Sequence, residues 1–211
     1  MAEYYKIKIN KSSNSFFNII KIKNFYKIKK MKSSFTLNIT ILGEKNIGKS
    51  KLINDYIKQD NITKTKTKQD FTSIQKTIDG VLMKLNLYEY SDVPERKKDI
   101  ANHHCVIIMF DMTNRQSFED VLDKWIKFLR QLNYVNTIIL FGTKNYNDKD
   151  ALPMTDEREI NELIEVASIN GTFHYIGDKT TEQKNNLIDQ LIETTYNQAK
   201  NNKNNKDCVV F

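Results

Sequence analysis

From Phe35 onward the apolar positions alternate between two spacings. Phe35, Leu37, Ile39 and Ile41 are separated by polar residues and run into Gly43, the period of two that marks a strand, here one buried in a parallel sheet. Between Lys49 and Gln59 the apolar residues Leu52, Ile53, Tyr56 and Ile57 form one helical stripe. Phe71–Ile78 and Val81–Glu89 read as strands joined at Asp79-Gly80, a two-residue hairpin signal. His104–Asp111 is a further buried strand. Ser117–Leu132 reads as a helix with Ser117 as its N-cap and with Phe118, Val121, Leu122, Trp125, Phe128 and Leu129 facing inward. Val135–Phe141 follows as a strand, Asp156–Ile169 as a helix closed by Gly171, Phe173–Ile176 as a strand and Thr181–Gln198 as a helix.

The polar stretches separate these elements. Asp60–Asp70 alternates threonine and lysine without a hydrophobic face and reads as an exposed loop. Tyr90–Asn102 is a polar connection with a weak helical segment after Pro94, and residues 199–207 read as a solvated lysine–asparagine tail. The order predicts an α/β fold: a six-stranded, mainly parallel sheet, one antiparallel strand entering by the hairpin, and helices on both faces. There is no internal repeat. The longest apolar run, Cys105–Phe110, falls far short of the roughly 20 residues of a membrane-spanning helix.

Charge divides the chain. The net charge is +7, yet residues 1–34 hold nine lysines against one acid, Glu3, so the remainder is close to neutral. A nucleic-acid-binding fold carries its positive charge on the fold itself, and no nucleic-acid partner is expected. Residues 1–34 form a basic extension, with Tyr4, Tyr5, Phe16, Phe17, Phe25 and Tyr26 among the lysines, suited to an anionic lipid surface. An alternative start at Met31 would give a short leader instead. Asn18, Lys21 and Lys23 interrupt the run from Phe16, which argues against a secretory signal, and the absence of arginine argues against a transit peptide. Two cysteines, Cys105 and Cys208, make no disulfide framework and fit a reducing compartment.

Candidate chemistry concentrates between the first strand and first helix. Gly43-Glu44-Lys45-Asn46-Ile47-Gly48-Lys49-Ser50 fits the P-loop pattern GxxxxGK[ST]. Its glycines let backbone N–H groups curl around phosphate, the helix that follows offers its positive end, and Lys49 adds a point charge. Ser50 can place its hydroxyl on Mg²⁺. With six glycines in the chain, two at this spacing between a strand and a helix are a specific signal.

Phe110-Asp111-Met112-Thr113-Asn114, then Ser117-Phe118, Val121 and Trp125, closely resembles the matching segment of Ras-superfamily small GTPases, the Rab family above all. The resemblance extends over about residues 35–211 and covers the element order. It implies a Ras-like P-loop GTPase fold over 35–198, a flexible tail over 199–211, Mg²⁺ with GTP or GDP, and a monomer. The ending Cys208-Val209-Val210-Phe211 is similar to the C-a-a-X signal, with Phe favouring geranylgeranyl on Cys208. The role implied is a membrane-anchored regulator of vesicle traffic at a cytoplasmic surface. Residues 60–70 and 90–102 would be its nucleotide-sensing segments, where effector and regulator proteins bind. One lipid chain anchors only marginally, so the basic extension or the tail would supply a second contact.

Several family motifs are altered. The DxxGQ segment falls on Glu89-Tyr90-Ser91-Asp92-Val93. Glu89 would help hold Mg²⁺, Asp92 replaces the glycine whose N–H meets the terminal phosphate, and Val93 replaces the glutamine that orients the attacking water. Hydrolysis is therefore expected to be slow. Thr67, rather than Thr65, is nearest the spacing of the threonine that joins Ser50 and Glu89 on the metal. The NKxD base motif falls on Thr143-Lys144-Asn145-Tyr146, so Tyr146 replaces the carboxylate that accepts two hydrogen bonds from guanine. At about 1.5–3 kcal/mol each, their loss corresponds to roughly 10²- to 10⁴-fold in guanine preference. Asn145-Tyr146-Asn147-Asp148 is a second register for the same motif. The SAK segment falls on Gly177-Asp178-Lys179.

Asn102-His103-His104-Cys105 contains metal-ligand residue types, but Cys105 opens a buried strand and no partner cluster accompanies it. His174 reads as a strand residue, and the acids of Asp156–Glu165 as a solvated helix start. Two functional classes follow: a nucleotide switch, or a scaffold that keeps fold and lipid while having lost nucleotide switching. A P-loop ATPase or kinase is a third, with adenine open because of Tyr146.

Overall fold

The computed structural model describes residues 34–59, 62–65, 71–78, 80–94, 97–144, 153–167 and 171–207. The strands are β1 (Ser34–Leu42), β2 (Ile62–Thr65), β3 (Phe71–Ile78), β4 (Val81–Tyr90), β5 (Cys105–Asp111), β6 (Thr137–Thr143) and β7 (Gly171–Tyr175). The helices are α1 (Lys49–Ile57), α2 (Lys97–Ile100), α3 (Arg115–Asp120, π-helical Val121–Ile126 and Lys127–Gln131), α4 (Glu157–Ala167) and α5 (Thr181–Asp207).

The strands form one sheet in the order β2-β3-β4-β1-β5-β6-β7. Only β3 runs against its neighbours, β2 and β4; the β1–β4, β1–β5, β5–β6 and β6–β7 pairs are parallel. Alternation decides which side each residue serves. On β5, Cys105, Ile107 and Met109 join the core beneath α1 and α5, with Leu52, Ile53, Tyr56 and Ile192. Val106, Ile108 and Phe110 join the opposite core beneath α3 and α4, with Phe118, Trp125, Ile160 and Leu163. A strand buried on both faces needs an unbroken apolar run, and Cys105–Phe110 supplies it.

Among the described residues the sheet has seven strands where six were expected. The seventh is Ile62–Thr65, inside the segment read as an exposed loop. Its hydrogen bonds come from antiparallel pairing with β3. Thr63 and Lys64 are exposed while Ile62 packs against the core beneath α1, and a lysine on an edge strand discourages further pairing.

Asn114, not Ser117, caps α3: its side chain accepts from the N–H groups of Gln116 and Ser117. The Ser117 Oγ instead accepts from the Asp111 N–H at 3.0 Å, tying the helix to the end of β5. Midway the helix widens, the Lys127 N–H reaching back five residues to the Leu122 carbonyl. Trp125 and Ile126 are both fully buried there. Strand β6 starts beyond Val135, which is 81% exposed, and Gly171 opens β7 rather than closing α4. Helix α5 runs through residues 199–207, read above as tail, to Asp207.

Among the described residues no helix is long and apolar enough to cross a membrane, and no group of three His, Cys, Asp or Glu side chains is placed to hold a metal. His103 is buried with its Nδ1 2.5 Å from Thr40 Oγ1, and His104 Nδ1 accepts from the Asn38 N–H.

Candidate functional site

Five of the segments singled out in the sequence follow the carboxyl ends of parallel strands. Gly43–Ser50 follows β1, residues 91–93 follow β4, Met112 and Thr113 follow β5, Lys144 follows β6, and Gly177–Lys179 lie just past β7. The strand order turns at β1, with β4 on one side and β5 on the other. A crevice at such a reversal, beyond the carboxyl ends, is where open α/β sheets take ligands.

The loop from Gly43 to Gly48 owes its shape to three residues with positive φ. Gly43 (φ 149°) lies so close to β5 that a Cβ would meet the Met109 carbonyl oxygen at 2.4 Å. Asn46 (φ 63°) takes a left-handed conformation that Asn tolerates, and Gly48 (φ 98°) caps α1. Gly48 brings no side chain to the first turn of α1, leaving its N–H groups to an anion.

Lys49 folds back over this loop. Its side chain is buried, and Nζ donates to the carbonyls of Gly43 (2.9 Å) and Glu44 (2.5 Å) and to Ser91 Oγ (3.0 Å). Burial pulls the Lys49 ammonium below its ordinary range, opposed by the carboxylates of Glu89, Asp92 and Glu44. Beside it Ser50 Oγ donates to Glu89 Oε1 at 2.5 Å. Ser50 stands in the first turn of α1, while Glu89 is on β4 opposite Ile41, so the sheet register brings this pair together. Hydroxyl and carboxylate oxygens are the hard donors that Mg²⁺ takes, and the pair fits that ion.

Asp92 and Val93 follow, both exposed. Lys45 Nζ lies 3.9 Å from one Asp92 oxygen and Lys124 Nζ, from α3, 3.5 Å from the other. Glu44 has its carboxyl pushed above the usual range by burial and by the neighbouring Asp120 of α3. The sequence singled out neither Asp120 nor Lys124. They come from α3, Asp120 far along the chain from Glu44 and Lys124 a full strand and loop beyond Asp92, and no local pattern marks them. Ser91 was placed in its motif but given no role.

At the other end, Thr143 is buried and its hydroxyl donates to the Phe110 carbonyl at 3.0 Å, so it is engaged with β5. Lys144 is half-buried beside it. Gly177 packs against the Tyr175 ring, which a Cβ would overlap at 2.5 Å. Tyr175 OH donates to Asp178 Oδ2 at 2.9 Å, and Lys179 is exposed. Between the start of α1, Thr143 and the start of α5 lies a cleft lined by Gly48, Lys51, Thr143, Thr181 and Asn185. Asn185 was not expected; its Oδ1 is buried with no hydrogen-bond partner among the described residues. Thr67, Tyr146 and Cys208 lie outside the described residues.

A strand, a glycine loop and a helix N-terminus at the reversal point of a parallel sheet define a P-loop nucleotide-binding architecture. Residues 38–201 match the model of the Ras family, and the chain belongs to that family of small GTP-binding proteins. No curated protein matches the chain.

Proposed function

We propose that the protein is a divergent Rab-like nucleotide switch that binds guanine nucleotide at Gly43–Ser50 and regulates vesicle traffic from the cytoplasmic face of a membrane. The observation that carries this reading is Lys49, a buried ammonium held over a glycine loop by the Gly43 and Glu44 carbonyls and Ser91. A buried charge with an open, uncapped helix start beside it is built for an anion. In this role the loop N–H groups and Lys49 hold the phosphates. Ser50 and Glu89 would hold Mg²⁺, with Thr67 as the third residue; the ion would offset phosphate charge when bound. Val93 has no group with which to orient water, so hydrolysis is slow.

Residues 60–70 and 90–102 are proposed as the segments that sense nucleotide and meet effectors, and Cys208 as the site of geranylgeranylation. Mass spectrometry of the endogenous protein tests the lipid: a geranylgeranyl adduct on Cys208 supports it, and a bare thiol removes the anchor from the reading.

The nucleotide itself is tested by extraction from the purified protein and chromatography, then competition among GTP, ATP and XTP with Mg²⁺. A guanine nucleotide is expected. Binding blind to the base would locate the loss at Tyr146, and an empty, non-binding protein would leave the second reading. That reading is a lipid-anchored scaffold without nucleotide switching. It is favoured by the internal engagement of three site residues: Ser50 with Glu89, Thr143 with Phe110, and Asp92 with Lys45 and Lys124. Partner binding that is the same with and without nucleotide would select it.

A further inference from the structure

This inference rests on the nucleotide reading and concerns which nucleotide the site accepts. The loop after β4 is fixed by its contacts. Ser91 Oγ accepts from Lys49 Nζ at 3.0 Å, which lays this loop over the ammonium of the glycine loop. A P-loop lysine is the group that reaches the outer phosphates of a bound nucleotide. The next residue, Asp92, therefore stands beside the place of the outermost phosphate.

Its carboxylate is held there from two sides. Lys45 of the glycine loop approaches one oxygen at 3.9 Å, and Lys124 of α3 the other at 3.5 Å. The side chain is 72% exposed, so these ion pairs contribute little to the stability of the fold. What they do is place a charge. Glu44, Glu89 and Asp120 add further carboxyl groups around the same opening. On the positive side, Lys45 and Lys124 are each already shared with Asp92, and Lys49 is engaged with two carbonyls and Ser91.

A diphosphate lacks the outermost phosphate that would face Asp92. A triphosphate would add a doubly charged group on the side of this carboxylate, and like charges brought close together repel. We infer that Asp92 is a selectivity residue against the third phosphate, so that the resident ligand is a nucleoside diphosphate and the triphosphate is taken up poorly. Occupancy of the triphosphate state is thereby set by binding as well as by hydrolysis. Any partner that draws Asp92 out of this place would raise it.

The test is equilibrium binding of the full chain, stripped of nucleotide, to GDP and to the non-hydrolysable analogue GppNHp in Mg²⁺. The wild type is expected to hold GDP at least about tenfold more tightly, a gap of about 1.4 kcal/mol. Asp92→Asn keeps the shape and removes the charge. It should bring the two ligands within about threefold of each other, the gain falling on GppNHp. Raising the salt concentration should narrow the wild-type gap and leave that of Asp92→Asn where it is. Equal affinities in the wild type, or a ratio that Asp92→Asn does not move, overturns the discrimination and leaves the nucleotide site standing. Failure of the wild type to bind GDP overturns both readings together.

Discussion

Two residues carry predictions that belong to them alone. Val93 occupies the position from which a glutamine would orient water, and its side chain is partly open to solvent. Val93→Gln is expected to raise the intrinsic GTP hydrolysis rate by about tenfold or more, read in single-turnover assays. An unchanged rate would move the defect to Asp92. His103 is the other. Burial among Thr40, Tyr88 and the end of β1 lowers its pKa from 6.5 to about 4, against a smaller upward pull from Asp99. The folded state thus disfavours the charged ring. Its contribution to stability is complete above about pH 6.5 and disappears as the pH falls toward 4, a loss on the order of 3 kcal/mol. The urea midpoint should fall across that window, and His103→Gln should flatten the fall. A wild-type midpoint constant from pH 7 to 4 would contradict the assignment.

At the scale of elements, the hairpin is fastened to the helices by one charge. Lys76 on β3 is buried, and its Nζ donates to both carboxylate oxygens of Asp189 on α5, each at 2.6 Å, and to Gln59 Oε1 at 3.2 Å. Tyr56 OH of α1 donates to the same carboxylate at 2.6 Å, so three elements meet on Asp189. Removing one partner of a buried pair strands the other charge. Asp189 is about one-third exposed, so Asp189→Ala is expected to cost about 2–3 kcal/mol, at or below the low end for fully buried pairs. The double variant Lys76→Met with Asp189→Ala should recover much of it. Denaturant unfolding of the four proteins in the cycle decides; a double-variant loss equal to the sum of the two single losses would show that the pair is not coupled.

The same scale shows why some elements could be read from the chain and others could not. The apolar run at β5 and the stripes of α1 and α4 announce themselves, because each buries a face on residues adjacent in sequence. Strand β2 is held chiefly by its partner: Ile62 is half-buried against the core and Thr63 and Lys64 are exposed, so the ladder with β3 supplies what the side chains do not. The last turns of α5 continue a helix that begins upstream, and their run of lysine and asparagine carries no apolar stripe by which the sequence could announce it. The start of α3 was displaced because Asn114 and Ser117 both bear capping groups, and only the contact with the Asp111 N–H shows how they divide the work.

For the whole molecule, the site is a property of the sheet's carboxyl edge. Its glycine loop was legible because two glycines, a lysine and a serine must stand at fixed spacing. The charges around it were not: Lys124 and Asp120 arrive from α3, and Ser91 reaches Lys49 only because β4 lies beside β1. Nucleotide should accordingly stabilise the molecule as one unit. GDP at about a hundred times its Kd should add about 2.7 kcal/mol to unfolding, seen as a raised melting temperature that Lys49→Ala abolishes.

The opposite edge has a consequence of its own. Phe35, at the start of β1, meets Tyr196 of α5 edge to face with ring centres 5.1 Å apart, so the first strand enters where the last helix passes. A linker from residue 200 back to residue 34 would make residues 34–200 a ring. Cut again at the exposed Val135, the ring becomes a circular permutant in which no glycine-loop residue has moved. Residues 34 and 200 then lie in the interior of the chain, and whatever is grafted at the new ends rides on the rim between α3 and β6.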